Sequence, residues 1–292
     1  MLNRILIINK PAGMTSHDVV ARVRRVLGER GVGHLGTLDP MATGVLPIVT
    51  GRYTRLAQFF GSSRKSYDGE IRFGFTTDTY DAEGEPVGPC VEIQPQLHDV
   101  RTVAACFSGM IAQLPPAYSA KKINGVPAYK LARKDKPVEL RPVEVQIHRF
   151  EILSVIGDRA RFVAEVSAGT YIRSLAHDLG QKLGYGAHLT ELRRTASGEF
   201  TLDQAVKLDE LTPEMPGVHS RMILSEIPCV TAPAEVITAL RNGRAVNLPE
   251  FSTARLVKVF ADQTRIVAIA ERLAGTLFRP HVVLYGNNEQ MD

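Results

Sequence analysis

Gly31-Val32-Gly33-His34-Leu35-Gly36-Thr37-Leu38-Asp39-Pro40-Met41-Ala42-Thr43-Gly44-Val45-Leu46 is the most unusual stretch of the 292-residue chain. Glycines at 31, 33, 36 and 44 imply a tightly turned backbone, which can expose a polar side chain or let a ligand approach the main chain. The loop presents one histidine, two threonines and a single carboxylate, Asp39, just before an apolar strand over residues 45–49. Taken alone, Asp39-Pro40 reads as the start of a turn and His34 as a structural residue.

Upstream, Arg4-Ile5-Leu6-Ile7-Ile8 reads as a buried strand, stopped by Lys10-Pro11-Ala12-Gly13. A helix follows, with Ser16 as N-cap, Val19, Val20, Val23, Val26 and Leu27 at helical spacing, and Gly28 as C-terminal cap. Arg22, Arg24 and Arg25 fall largely on its solvated side. Downstream, the periodicity predicts strands at 70–75, 143–155 and 161–166 and helices at 97–107 and 172–183. The elements do not alternate as βαβ units, and neither G-x-G-x-x-G nor G-x-x-x-x-G-K-[ST] occurs, so a nucleotide-binding architecture has no support. Past the Pro-rich residues 212–217, a short helix at 233–240 and strands at 256–260, 265–270 and 281–285 predict a small β-rich C-terminal domain, residues 229–292, after a first domain of residues 1–228. The fold class is mixed α/β.

Composition sets the outer limits. Forty-four per cent apolar and 23% charged residues, with 24 Gly and 17 Pro, describe an ordinary globular chain and exclude disordered and collagen-like classes. No apolar run reaches the roughly 18 residues of a membrane span, and the N-terminal residues lack a secretory layout, so a cytoplasmic protein with no membrane partner is expected. Cys90, Cys106 and Cys229 are isolated and odd in number, which fits neither a disulfide framework nor a zinc site. A net charge of +4 makes a polyanionic partner reasonable without specifying one.

Three further segments carry side chains suited to chemistry. In residues 168–180, Tyr171 and Arg173 sit where strand becomes helix; an arginine there can hold a carboxylate ionised or serve a surface salt bridge, and His177 and Asp178 belong to the helix itself. Tyr67 opens the strand at 70–75 and can stack on a base or pack in the core, while the acidic loop 76–84 lacks EF-hand spacing. Residues 115–136 carry six basic side chains, Lys121 and Lys122 among them, against one acid, with Tyr118 and Tyr129 interleaved, a mixture suited to RNA.

Together, Asn9-Lys10-Pro11-Ala12-Gly13-Met14-Thr15-Ser16, the loop 33–46, residues 115–121, Gly169-Thr170-Tyr171-Ile172-Arg173 and Leu189-Thr190-Glu191-Leu192-Arg193-Arg194, in this order, closely resemble the TruB-type tRNA pseudouridine synthases. That family acts on uridine 55 of the tRNA T-loop. The resemblance implies a mixed, mostly antiparallel sheet flanked by helices, an RNA-binding insert near residues 115–140 and a PUA-like C-terminal domain. It implies Asp39 as the catalytic aspartate, Tyr67 stacked on the target base and Arg173 paired with Asp39. It places Tyr171 and Leu192 in the pocket wall, His34 beside the flipped-out nucleotides, and Lys10, Lys121 and Lys122 at the substrate. Neither cofactor nor metal is implied, the partner is tRNA through its T-arm, no protein partner is obligatory, and the chain is expected to be a monomer. Asn9, where many relatives carry Asp, and Gly51-Arg52-Tyr53-Thr54-Arg55 depart from the family pattern without touching the catalytic set. A non-catalytic RNA-binding protein, a guide-RNA-dependent synthase and a uracil-releasing glycosidase are the competing readings.

Overall fold

The computed structural model describes residues 3–119, 122–123, 126–127 and 140–285. The apolar run near the N-terminus forms β1 (Ile5–Lys10), which is buried on both faces and so lacks any polar alternation. It is followed by α1 (Ser16–Leu27), β2 (Val32–His34), β3 (Thr43–Thr50), β4 (Lys65–Phe73), α2 (Leu97–Ala105), β5 (Gly109–Gln113), β6 (Val143–Ile156), β7 (Arg159–Val166), α3 (Ile172–Leu183) and β8 (Ala187–Ser197). These strands build one sheet in the order β1-β3-β8-β4-β7-β6-β5, with β2 on β3 and a two-residue strand, Val206–Lys207, outside β1. Only the β1 pairing with Val206–Lys207 and the β3–β8 pairing are parallel, which makes the sheet mixed and mostly antiparallel, as expected.

The two faces of the sheet are covered differently. Leu6 and Ile8 of β1 join Val19, Val23 and Leu27 of α1, Val100 of α2 and Leu175 and Leu179 of α3 in one core. Ile5 and Ile7 point the other way, where Tyr53 and Leu56 of a 3-10 helix (Gly51–Phe59) meet them. Burying each large aliphatic side chain contributes about 1.5–3 kcal/mol, so the α1 stripe alone is enough to seat that helix.

A second sheet, β9 (Cys229–Thr231), β10 (Val246–Asn247), β11 (Leu256–Phe260), β12 (Ile266–Ala274) and β13 (Leu277–Val283), runs in the order β9-β11-β12-β13-β10 beside α4 (Ala234–Arg241). Phe260, Ile266, Ile269, Val282 and Leu284 pack into the β1–β3 side of the first sheet, so the small sheet shares a core with the large one. The buried Lys258 ammonium donates to the carbonyls of Arg221 and Ile223 and fastens the connecting segment to β11. Among the described residues no helix is long and apolar enough to cross a membrane.

Several local expectations shift. The α1 cap is Thr15, not Ser16: Thr15 and Asp18 form a reciprocal capping box, the arrangement that spacing three apart allows. Ser16 turns inward instead and both donates to and accepts from the backbone of Leu38. β4 begins at Lys65, which puts Tyr67 inside the strand and not at its entry. β8, with no strand expected over it, lies in the middle of the sheet.

Candidate active site

The loop between β2 and β3 is shaped by buried cations that grip its carbonyls. Arg194 of β8 is almost fully buried and donates from Nε to the Val45 carbonyl (2.7 Å), from Nη2 to Gly36 (3.0 Å) and from Nη1 to Thr37 (3.3 Å). Lys10, at the end of β1, donates to the carbonyls of Pro11 (2.8 Å), Met14 (2.6 Å) and Pro40 (3.0 Å). A Cβ at Gly44 would stand 2.2 Å from the Arg194 carbonyl, and its φ of +97° is one that glycine adopts readily; here the backbone of β3 must touch that of β8. With Ser16 holding Leu38 as well, the turn that carries Asp39 is tied at both ends.

Asp39 emerges from this turn opposite α3. The guanidinium of Arg173, in the first turn of α3 and buried, donates from Nη2 to Asp39 Oδ1 at 2.9 Å while its Nε lies 2.9 Å from Oδ2. The same side chain donates to the carbonyls of Thr79 (3.0 Å) and Tyr118 (2.9 Å), and its Nη1 stands 3.2 Å from Asp81 Oδ2. One planar fork thus spans two carboxylates, a task an ammonium could not perform. The start of α3 is pinned by Gln113, whose side-chain amide accepts from the Tyr171 N–H (2.8 Å) and donates to its carbonyl (3.0 Å).

Protein atoms crowd the Asp39 carboxyl on most sides although a third of its side-chain surface stays open to the cleft. That burial pushes its pKa up, Arg173 pulls it back, and Asp81 adds a further push. Asp81 itself is buried and accepts from Thr79 Oγ1 (2.6 Å) and the Glu83 N–H (3.1 Å). Its loop had no assigned role in the sequence. The only local sign is the Thr-x-Asp turn chemistry of Thr79 and Asp81, and the link to Arg173 is wholly tertiary.

Asp39, Tyr67, Tyr171, Arg173, Leu192 and His34 all line one cleft of about 780 Å³, large enough for an extruded nucleotide and its neighbours. Alternation along β4 turns Tyr67 inward with Ile71 and Phe73. Its hydroxyl has no hydrogen-bond partner among the described residues. Leu192 projects from β8 across from Gly69, where a Cβ would meet the Glu191 carbonyl at 2.4 Å. His34 accepts weakly from the Gly36 N–H (3.4 Å) and stands edge-on to His17. Burial lowers the pKa of His34, with His17 and Arg194 adding to the effect. Burial raises that of the Tyr171 hydroxyl.

Lys10, expected at the substrate, is engaged by the backbone of the loop. It is fully buried with three carbonyl partners, and burial lowers its pKa to about 8 against the pull of Asp39. Its ammonium holds the loop through these carbonyls. Lys121 lies outside the described residues, and Lys122 begins a two-residue strand, Lys122–Ile123, paired with Val126–Pro127, in which only the backbone is described. His177, assigned to structure, stacks on Tyr80 with ring centroids 3.8 Å apart.

Comparison with known proteins places this arrangement. Residues 24–172 match the TruB family pseudouridylate synthase N-terminal domain, and residues 173–220 match the tRNA pseudouridylate synthase B C-terminal domain. The tRNA pseudouridine synthase B of Solibacter usitatus is 45% identical over 97% of this chain and 100% of its own length. The proteins of the same name from Aquifex aeolicus and Bacillus cereus are 40% identical over 93% of this chain and 96% of theirs, and 39% identical over 98% of both. A chain of a Cbf5-Nop10-Gar1 complex superposes with a TM-score of 0.72 at 25% identity, covering 98% of this chain and 86% of that one. Similarity of this extent, running through the elements that carry both sides of the cleft, means that the chain belongs to the TruB family of pseudouridylate synthases.

Proposed function

We propose that this protein is a stand-alone tRNA pseudouridine synthase that isomerises uridine 55 of the T-loop in the cytoplasm, as a monomer, with Asp39 as its catalytic carboxylate. The observation that carries the reading is the Arg173 fork, which presents the Asp39 carboxylate to a cleft walled by Tyr67 and Leu192. Pseudouridine formation breaks the bond from ribose C1′ to uracil N1, turns the base and rejoins it through C5, with loss of the C5 proton and no other atom exchanged. An ionised carboxylate is suited to attack at C1′ or at uracil C6, or to assist elimination across the sugar, and in each case Arg173 keeps it charged and aimed. Charge develops on sugar and base together, so fixed dipoles in a half-dry cleft favour the transition state.

A uridine in a folded loop is held by stacking, and its extrusion needs replacement contacts. Tyr67 supplies a ring face, with Leu192 and Tyr171 as wall, and its hydroxyl, without a partner among the described residues, assists departure of the C5 proton. Tyr67→Phe is expected to keep tRNA affinity and slow turnover; unchanged turnover removes the hydroxyl from the mechanism. His34 meets the RNA at the cleft mouth. Lys121 and Lys122, within the basic segment 118–136, contact the T-loop phosphates, and the second sheet, in the manner of a PUA-like domain, extends the contact along the T-arm.

Tritium release from unmodified tRNA labelled at uridine C5 tests the whole reading. Release by the isolated chain and none by Asp39→Asn supports it. A likeness to a chain found in a Cbf5-Nop10-Gar1 complex gives the second reading, a partner-dependent synthase, which predicts tight RNA binding without release until partners are added.

A further inference from the structure

Among the described residues three lysines are buried, and they differ in what surrounds the ammonium. Lys10 has three carbonyl acceptors and Lys258 has two. Lys65, more than nine-tenths buried, donates to the Ser63 carbonyl at 2.5 Å, its single acceptor among the described residues. It has no carboxylate partner among them. The charged group that acts on it is Arg194, another cation, already committed to three carbonyls of the catalytic loop. The two cations converge under Gly36, where an added Cβ would lie 3.6 Å from Arg194 Nη1 and 3.8 Å from Lys65 Cε.

Lys65 is also the one of the three lysines that lines the main cleft. It stands two residues before Tyr67 on the inward face of β4, about 7 Å along the strand, in a cleft that Leu35, Ala57 and Phe60 also line. Burial, with Arg194 adding to it, lowers its pKa to about 8, the mark of an ammonium deprived of water without a compensating charge. A methionine would fill the same volume at no such cost, so stability does not account for a lysine here. The missing partner is an anion that arrives with the ligand. Asp39 is not that anion, since its carboxylate oxygens face the Arg173 fork. With two protons of the ammonium unused, the group suits the two non-bridging oxygens of a phosphodiester.

We propose that Lys65 binds a backbone phosphate of the RNA beside the flipped nucleotide, where Gly36 lines the cleft. This rests on the reading of the cleft as an RNA site, and the test separates the two. Lys65→Met and Lys65→Arg are compared with the parent in thermal melting, steady-state turnover of unmodified tRNA and tRNA binding across a salt series. The methionine variant is expected to melt at or above the parent temperature, to raise KM about 10- to 100-fold, and to flatten the log–log salt slope by about one. The arginine variant is expected to keep the slope. A methionine variant that melts lower and keeps the parent slope makes Lys65 structural and overturns the proposal. A lost kcat with unchanged slope also overturns it, because the ammonium then serves the reacting base. A parent protein that neither binds nor turns over tRNA takes down the RNA reading and this proposal with it.

Discussion

Replacing Arg173 by methionine tests the core of the catalytic arrangement. The guanidinium is buried, and its removal leaves Asp39 and Asp81 without their shared counter-charge and the Thr79 and Tyr118 carbonyls without a donor. Removing one member of a buried ion pair costs about 3–5 kcal/mol, and the chain can relieve part of that by taking up a proton. Asp39 is the group placed to accept it, because burial and Asp81 already push its pKa up and only Arg173 and Lys10 pull it down. In the proposed mechanism a protonated Asp39 neither attacks nor assists. Turnover of C5-tritiated tRNA near neutral pH should therefore fall about 100- to 1,000-fold, the effect of deleting one preorganised charge from a water-poor site. The acid limb of kcat should move to higher pH, so that the variant regains activity where the parent profile is flat. Stability has a definite sign as well. A carboxyl whose folded pKa lies above its unfolded value favours the fold at low pH and loses that contribution as pH rises through the folded pKa. Urea melts of the variant should accordingly weaken more steeply from acid to neutral pH than those of the parent. Arg173→Lys, which restores charge but not the fork, should fall between the two. Turnover within threefold of the parent, or an unmoved acid limb, would refute this account of how Asp39 is held.

Three other expectations follow from the structure. Gly44→Ala places a methyl group 2.2 Å from the Arg194 carbonyl at positive φ, and should cost about 2–6 kcal/mol in urea denaturation or prevent folding. Thr15→Ala removes one half of the α1 capping box and should lower stability by about 0.5–2 kcal/mol with tRNA turnover unaffected, as read by denaturation and tritium release together. Lys65 and Lys10, with pKa lowered to about 8 from 10.5, bind fewer protons in the fold than in the unfolded chain between those values, so stability should climb as pH rises from 8 to 10; in Lys65→Met the climb should shrink, and melts across that range give the answer.

How much of this was legible depended on whether a residue's partners were near it in sequence. β1 announced itself because both its faces are buried, and α3 was bounded correctly because Gly184 ends an unbroken apolar stripe. The Thr15 cap was readable from Asp18 three positions later, yet adjacent Ser16 competed for the role and won on type alone. β8 gave no apolar alternation, since His188, Arg194 and Ser197 occupy buried positions that strands usually reserve for aliphatics. Only resemblance singled it out. Asp39, Tyr67 and Arg173 were likewise chosen by resemblance, each alone having a duller explanation. Asp81 and Lys65 escaped for a different reason: an acidic loop and a strand-initial lysine look solvated until tertiary packing encloses them.

The grip of Arg194 on the Val45 carbonyl joins groups 149 residues apart, and the same side chain reaches back to Gly36 and Thr37. On a ribosome adding about 5–20 residues per second, the turn bearing Asp39 would wait about 7–30 s after its own synthesis for the side chain that shapes it. Arg173, too, is made long after Asp39. A nascent or prematurely terminated chain thus carries the aspartate on a turn held by Lys10 and Ser16, without the Arg194 grip and without the Arg173 fork that the proposed chemistry requires. On the proposed mechanism the two faces of the cleft meet only in the finished sheet, so any activity is a property of the completed chain.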